Sequence, residues 1–215
     1  MSEHVSLVAH QFDDAAQQRE AGTLGMWTFL VTEILFFGGM FAGYSVYRAL
    51  YPAAFQAGSR AMNLTIGSVN TAVLIVSSLT MALAVHASQT GRRKALVRYL
   101  LATMLFGAMF LGFKAIEWTA EFREHHLPGP HFAFGGADPR HSELFFSFYF
   151  AMTGMHAAHM IIGLGLLTYL VIAAAKGRFT PAYNNPVLIG GLYWHFVDIV
   201  WIFLYPLLYL VGARK

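Results

Sequence analysis

The sequence contains no cysteine and has few charged side chains for its length. Without cysteine, the chain can form neither a disulfide nor a thiolate metal site. Charged residues make up 12% of the 215 residues and hydrophobic residues 57%, whereas a soluble domain carries roughly 25% charged residues. This balance excludes an ordinary soluble domain and indicates an integral membrane protein. The net charge of +3 comes from scattered basic residues, so we expect no nucleic-acid binding.

The sequence also shows no pattern typical of a cleaved signal peptide and no internal repeat. Residues Met1 to Glu20 are polar and slightly acidic, with no basic region before a short apolar stretch. We therefore read residues 1–23 as a polar N-terminal tail and residues 24–215 as a transmembrane domain. The absence of a repeat disfavours an independent proton-coupled transporter, which remains a weaker alternative.

Apolar runs long enough to cross a bilayer as helices occur five times along the chain. They cover Leu24–Tyr47, Leu64–His86, Leu96–Trp118, Leu144–Ala175 and Ile189–Gly212. Because the runs are continuous rather than alternating, they exclude barrel strands. The sequence predicts an all-α, polytopic bundle of five spanning helices, and Pro206 should bend the last turns of the fifth.

The orientation of the bundle is predicted from its basic residues. They divide evenly between the two sides when Arg214 and Lys215 are counted at the C-terminal end. The short loop Gly91–Lys94 is the most densely basic, which places the N-terminus in the cytoplasm and the C-terminus outside. The long loop over residues 119–143 is then external.

Ionisable groups inside the apolar runs are the main clue to function, because they are costly in hydrocarbon. Glu33 lies in the first run, His156 and His159 share a face of the fourth, and His195 and Asp198 share a face of the fifth. One interpretation is structural: His–carboxylate hydrogen bonds join the helices, with His195 and Asp198 as a polar pair. Another is a proton-related role for Glu33, His156 and His159, because desolvation favours the neutral acid and lets Glu33 hold a proton.

A metal or haem site is a third interpretation, and the sequence favours it least. Metal binding would require Glu33, His156, His159 and His195 to converge, and the Glu-x-x-His motif of di-iron bundles is absent. A haem would need two axial histidines such as His156 and His195. The loop histidines His125, His126 and His131 are explained more simply as a solvated surface. We expect no metal, no haem and no catalytic residue in this chain.

Two further features are assigned to structural roles. Lys114 and Glu117 are spaced as a one-turn pair near the end of the third run, where their side chains can extend to the membrane interface. Trp194 and Trp201 are seven residues apart, so they can belong to an interfacial aromatic belt or line one face toward another subunit.

Four motifs, in order along the chain, resemble cytochrome c oxidase subunit III. Gly191–Trp201 (GLYWHFVDIVW) looks like the family's last helix, and Phe150–His159 (FAMTGMHAAH) looks like its Thr-Gly-x-His-x-x-His helix. Trp27–Phe37 (WTFLVTEILFF) looks like its glutamate-bearing helix, and Glu117–Trp118 falls where the family often has Glu-Tyr. Together the motifs span almost the whole chain.

The resemblance implies an accessory subunit of a proton-pumping haem-copper terminal oxidase that reduces oxygen to water. Such a subunit binds no haem or copper, which belong to partner subunits, and it packs beside catalytic subunit I in a complex with subunit II and further subunits. It holds phospholipids in a cleft and sustains proton uptake by its neighbour. The family's carbodiimide-reactive glutamate falls on Glu33. The implied location is the bacterial cytoplasmic (inner) membrane, and a respiratory supercomplex is a candidate larger assembly.

The chain departs from the longest family members at two places. Those members have seven helices, and this sequence begins where their third helix would. Lys114–Trp118 (KAIEW) also differs from the common Gln-x-x-Glu-Tyr. Five-helix forms occur in cytochrome c oxidases, in quinol oxidases and as a nitric oxide reductase-associated homologue, so all three remain open at this point.

Overall fold

The chain is helical, as predicted, with five helices long and apolar enough to cross a membrane. A computed structural model describes residues 11–135 and 138–212. The helices are α1 (Ala15–Leu50), α2 (Pro52–Ala61), α3 (Leu64–Gln89), α4 (Arg93–Arg123), α5 (Pro139–Ala175) and α6 (Asn185–Tyr205), followed by a π-helix at Pro206–Leu210. The short α2 was not predicted, because its ten residues lack a long apolar run.

Side chains and glycines define where the helices start and stop. Asp14 accepts a hydrogen bond from the Gln17 amide at the start of α1, and Asn63 does the same for Ile66 at the start of α3. Gly91 and Gly177 follow α3 and α5 with φ of 70° and 73°, where a side chain would be strained. These caps let the helices continue past the apolar runs.

The helix ends therefore differ from the ends of the predicted spans. One basic residue at the start of α4 also forms hydrogen bonds with another helix. Helix α1 begins within the predicted polar tail, of which residues 1–10 lie outside the described part. Arg93 donates from Nε to the Ala174 carbonyl at 3.1 Å and from its terminal nitrogen to the Ala175 carbonyl. Arg93 thus caps the C-terminal end of α5. This bonding explains why one basic residue lies in the predicted loop Gly91–Lys94, whichever way the bundle is oriented in the membrane. Arg214 and Lys215 lie outside the described residues.

Helix α6 occupies the centre of the bundle and packs against α1, α3 and α5. Its Trp194 ring fits between α4 and α5 because Gly107 and Gly163 have no side chain there: a Cβ at either glycine would lie 2.7 or 2.9 Å from the ring. Trp194 and Trp201 are both fully buried. The expectation that they belong to an interfacial belt or face another subunit is therefore wrong, because both rings pack in the core of the bundle.

The disturbance predicted at Pro206 takes the form of the π-helix. Proline has no N–H and cannot continue the α-helical hydrogen bonds, so the last turn widens. The Tyr44 hydroxyl on α1 donates to the Leu207 carbonyl at 2.5 Å within this turn. The turn also carries Tyr209 into the core, against α3 and α4.

Candidate functional site

Glu33 and His159 meet between α1 and α5. Glu33 Oε2 lies 3.0 Å from His159 Nε2, and both side chains are largely buried. The ring of Phe37 lies 5.3 Å from the imidazole, and the Tyr193 hydroxyl donates to the His159 carbonyl at 2.9 Å. A carboxyl and an imidazole are thus held together near the middle of two spanning helices.

The other ring nitrogen of His159 determines how many protons this pair holds. His159 Nδ1 lies 2.9 Å from the Met155 carbonyl oxygen, which can only accept, so Nδ1 carries a hydrogen. Nε2 and Glu33 Oε2 then share one proton, held as neutral acid and neutral imidazole or as carboxylate and imidazolium. Both forms have zero net charge, which is how the pair avoids a free charge in hydrocarbon.

His156 is separated from His159 although they lie one turn apart. It is fully buried between the rings of Phe110 and Trp201, whose centroids lie 5.3 and 5.2 Å away. Neither of its ring nitrogens has a hydrogen-bond partner in the described part of the chain. Three residues of helix rotate a side chain by about 60°, which is enough to direct His156 toward α4 and α6 while His159 faces α1.

Lys114 and Glu117 form a buried network with two tyrosines. Lys114 Nζ donates to Glu117 Oε2 at 2.9 Å, to the Tyr149 hydroxyl at 3.0 Å and to the Tyr209 hydroxyl at 2.8 Å. The Tyr209 hydroxyl donates in turn to Glu117 Oε1 at 2.5 Å. The Trp201 ring lies 5.3 Å from Nζ. Every ammonium hydrogen therefore has an acceptor, and three elements, α4, α5 and the π-helix, are joined.

The predicted one-turn pair is present, but its predicted extension to the interface is wrong. Both side chains are 3% exposed. Lys114 lies about two and a half turns before the end of α4, so its acceptors inside the bundle are nearer than water. The two tyrosines were missed because each is distant in sequence and reads as an ordinary aromatic.

His195 and Asp198 do not pair with each other, which corrects the prediction from their spacing. The His195 ring turns toward α3, where Nδ1 lies 2.7 Å from the Ser78 hydroxyl. Asp198 is buried, and neither carboxyl oxygen has a hydrogen-bond partner within residues 11–135 and 138–212. Both residues line a cavity of about 290 Å³ between α3 and α6, which we call the α3–α6 recess. A shared helix face brings residues to one side but does not make their side chains touch.

The loop after α4 is not simply the solvated surface predicted for its histidines, because His126 is buried. His126 Nδ1 lies 2.7 Å from Glu121 Oε2 and 3.6 Å from Glu124 Oε2. Within residues 11–135 and 138–212 this is the one group of His and acidic side chains close enough to hold a metal ion. His125 and His131 do not join it, and Glu33, His156, His159 and His195 do not converge on a common point. The expectation of no metal in the chain stays a prediction.

Sequence comparison connects this geometry to known proteins. A family model described as cytochrome c oxidase subunit III matches residues 9–213. The chain belongs to the cytochrome c oxidase subunit III family. The resemblance inferred from the four motifs is thereby confirmed.

Relatives in the subunit III family match the chain over nearly its whole length. Quinol oxidase subunit 3 of Bacillus subtilis is 32% identical over 91% of this chain and 91% of its own. Cytochrome c oxidase subunit 3 of Corynebacterium diphtheriae is 32% identical, covering 93% and 96%. Cytochrome bo(3) ubiquinol oxidase subunit 3 of Pseudomonas aeruginosa is 32% identical, covering 96% and 92%. Equal identities to relatives of both kinds do not rank one electron donor above the other.

Proposed function

We propose that this chain is the accessory third subunit of a respiratory haem-copper terminal oxidase in the bacterial cytoplasmic membrane. It supports oxygen reduction and proton pumping by a catalytic subunit and has no redox centre of its own. The observation that carries this proposal is the family match over residues 9–213. Relatives named as third subunits of oxidases, matched over nine tenths of their length, support it.

The internal bonding of the chain supports an accessory role. The ammonium of Lys114 and the carboxyl groups of Glu117 and Glu33 form hydrogen bonds with other side chains of the same chain. Such bonds join helices, and they occupy every hydrogen of the Lys114 ammonium and both oxygens of Glu117. We assign haem and copper to subunits I and II, and phospholipids to the apolar helix faces of this chain.

The Glu33–His159 pair supports a role in proton supply beside its role as a link between helices. It can hold one proton at mid-membrane without net charge, and releasing that proton to a neighbour leaves a Glu33 carboxylate that must take up another proton. We propose that it is the protonated acid of Glu33 that a membrane-soluble carbodiimide attacks. Asp198, Glu117 and Glu121 are more deeply buried than Glu33, so they should react less.

The carbodiimide reaction tests the assignment of Glu33. Peptide mapping of the labelled oxidase should find the adduct on Glu33, and Glu33→Gln should abolish it while the complex still assembles. Glu143→Gln, in the loop-facing first turns of α5, is the matched control and should leave labelling unchanged. Labelling distributed over Glu117, Glu121 and Asp198, with Glu33 unmodified, would show that the neutral acid lies elsewhere.

Removing the chain tests the accessory role. The oxidase purified without it should turn over at first but take up protons slowly or lose activity over many turnovers, measured as oxygen consumption and proton uptake. Glu33→Gln should slow proton uptake if the pair supplies protons, and leave turnover near normal if it only links helices. Complete loss of the first turnover in an otherwise assembled complex would contradict an accessory role.

The electron donor follows from the proteins that co-purify with the chain. A partner with a copper-binding domain assigns a cytochrome c oxidase, and a partner without one assigns a quinol oxidase. If the isolated complex reduced nitric oxide and not oxygen, the proposal would be replaced by the reductase-associated alternative.

A further inference from the structure

One face of α6 is open although the helix lies at the centre of the bundle. Ile199, Ile202 and Phe203 are 50%, 48% and 59% exposed and form a ridge between α1 and α3. The α3–α6 recess lies on one side of this ridge. A second cavity, of about 480 Å³, lies on the other side between α1 and α6. His195 and Ile199 line both cavities, so ridge and recesses form one continuous surface.

The α3–α6 recess contains a polar group that the described residues leave unsatisfied. Both oxygens of Asp198 are buried without a hydrogen-bond partner. The Ser78 hydroxyl adjoins the carboxyl and lies 2.7 Å from His195 Nδ1, and its single hydrogen can satisfy at most one carboxyl oxygen. The Thr71 hydroxyl in the same recess accepts from the Trp201 indole at 3.0 Å. The remaining walls are mostly apolar, including Leu74, so at least one carboxyl oxygen lacks a donor among the residues that the structure describes.

The depth of Asp198 excludes a phospholipid head group as that donor. In the span Asn185–Leu210, Asp198 lies about 20 Å from either end at 1.5 Å per residue. Head groups lie at the membrane surfaces, and acyl chains at mid-membrane have no hydrogen-bond donors. A donor at this depth belongs to another protein helix or to a small molecule dissolved in the bilayer.

We propose that the α6 ridge and its two recesses dock a transmembrane helix of another oxidase subunit. That helix carries a hydroxyl, amide or cationic side chain that donates a hydrogen bond to Asp198 at mid-membrane. The inference rests on the proposed function, which supplies the partner complex. A helix fits better than a small molecule because the surface is a ridge with a groove on each side, which matches the way helices pack. Helix association in lipid depends on this packing and on hydrogen bonds between helices.

Photocross-linking from the ridge tests which surface meets the partner. Benzoylphenylalanine would replace Ile199 in one variant and Ile162 in the other. Ile162 is the control because it is an exposed isoleucine in the middle of α5 that lines neither recess. After illumination of the native membranes, Ile199 should yield an adduct with a helix of another subunit, at least about fivefold more than Ile162. An adduct only with lipid or a membrane-dissolved small molecule, or equal yields at the two sites, would overturn the proposal.

Substitution of Asp198 tests the hydrogen bond separately. Asp198→Leu removes the acceptor, so retention of the partner in detergent should weaken about tenfold. Asp198→Asn keeps an acceptor and should retain the partner at close to the native level. The amount of each variant in the membrane is measured alongside. Full retention by a normally accumulating Asp198→Leu variant would refute the role of Asp198; if that variant does not accumulate, the cross-linking result decides.

These outcomes separate the two proposals. If the native chain co-purifies with no oxidase, the proposed function fails. If it co-purifies with an oxidase whose subunits cross-link to Ile162 and not to Ile199, only the docking surface is wrong.

Discussion

Replacing Glu117 by leucine removes one side of the most enclosed ion pair described. In the native chain, Lys114 Nζ has three acceptors, and Glu117 is the only one of them that carries a charge. Leucine has a similar volume but leaves the ammonium with two tyrosine hydroxyls and no counter-ion. The Tyr209 hydroxyl also loses the acceptor that lies 2.5 Å away.

The cost follows from the burial of both groups. Breaking a buried ion pair by removing one partner costs about 3–5 kcal/mol, because the remaining charge is uncompensated. We expect Glu117→Leu to lower the free energy of unfolding by that amount, and the midpoint of thermal unfolding by about 10 °C. Adding Lys114→Met removes the stranded charge, so the double variant should recover most of the loss.

Thermal unfolding of the detergent-purified chain or complex, followed by tryptophan fluorescence, measures these differences. The comparison of single and double variants is decisive, since a loss due only to packing would grow with the second substitution. If Glu117→Leu unfolds within 2 °C of the native protein, or the double variant is less stable than the single, the buried pair does not contribute as described.

Two other predictions concern packing and pH. Gly107→Ala places a Cβ 2.7 Å from the Trp194 ring and should destabilise the protein by about 1–3 kcal/mol, whereas Gly112→Ala, with open space around it, should not; thermal unfolding compares them. The hydrogen bond from His141 lowers the pKa of Asp138 below its usual value, so Asp138 stabilises the fold above the unfolded pKa of about 3.9. That stability is lost as the pH falls through the lower folded pKa, and Asp138→Asn should remove this part of the acid dependence of the unfolding midpoint.

The helices could be predicted from the sequence because hydrocarbon permits few alternatives. An apolar run such as Leu64–His86 must satisfy its backbone internally and becomes a helix, α3. The ends could not be predicted as well, because capping by Asp14 or Gly91 lets a helix continue into polar surroundings where hydropathy no longer signals it. Helix α2 could not be predicted from hydropathy, because its ten residues lack a long apolar run.

The polar site was only partly predictable. The cost of an acid in hydrocarbon indicates that Glu33 needs a partner, and the choice among histidines depends on how α1 and α5 pack. Sequence spacing suggested His195 for Asp198, but spacing within one helix carries no information about Ser78 on a neighbouring one. Tyr209 reaches Lys114 because it lies in the π-helix. The π-helix forms where Pro206, which has no N–H, cannot continue the α-helical hydrogen bonds.

The central position of α6 also has a consequence for how the protein is made. Helix α6 is synthesised after the other four spans, yet α1, α3 and α5 all pack against it. The earlier helices can insert one by one, but the space between Gly107 and Gly163 stays unfilled until Trp194 arrives. Helix insertion and helix packing are therefore separated in time. During that interval the inner faces of the first four spans are open to lipid, to chaperones and to proteases.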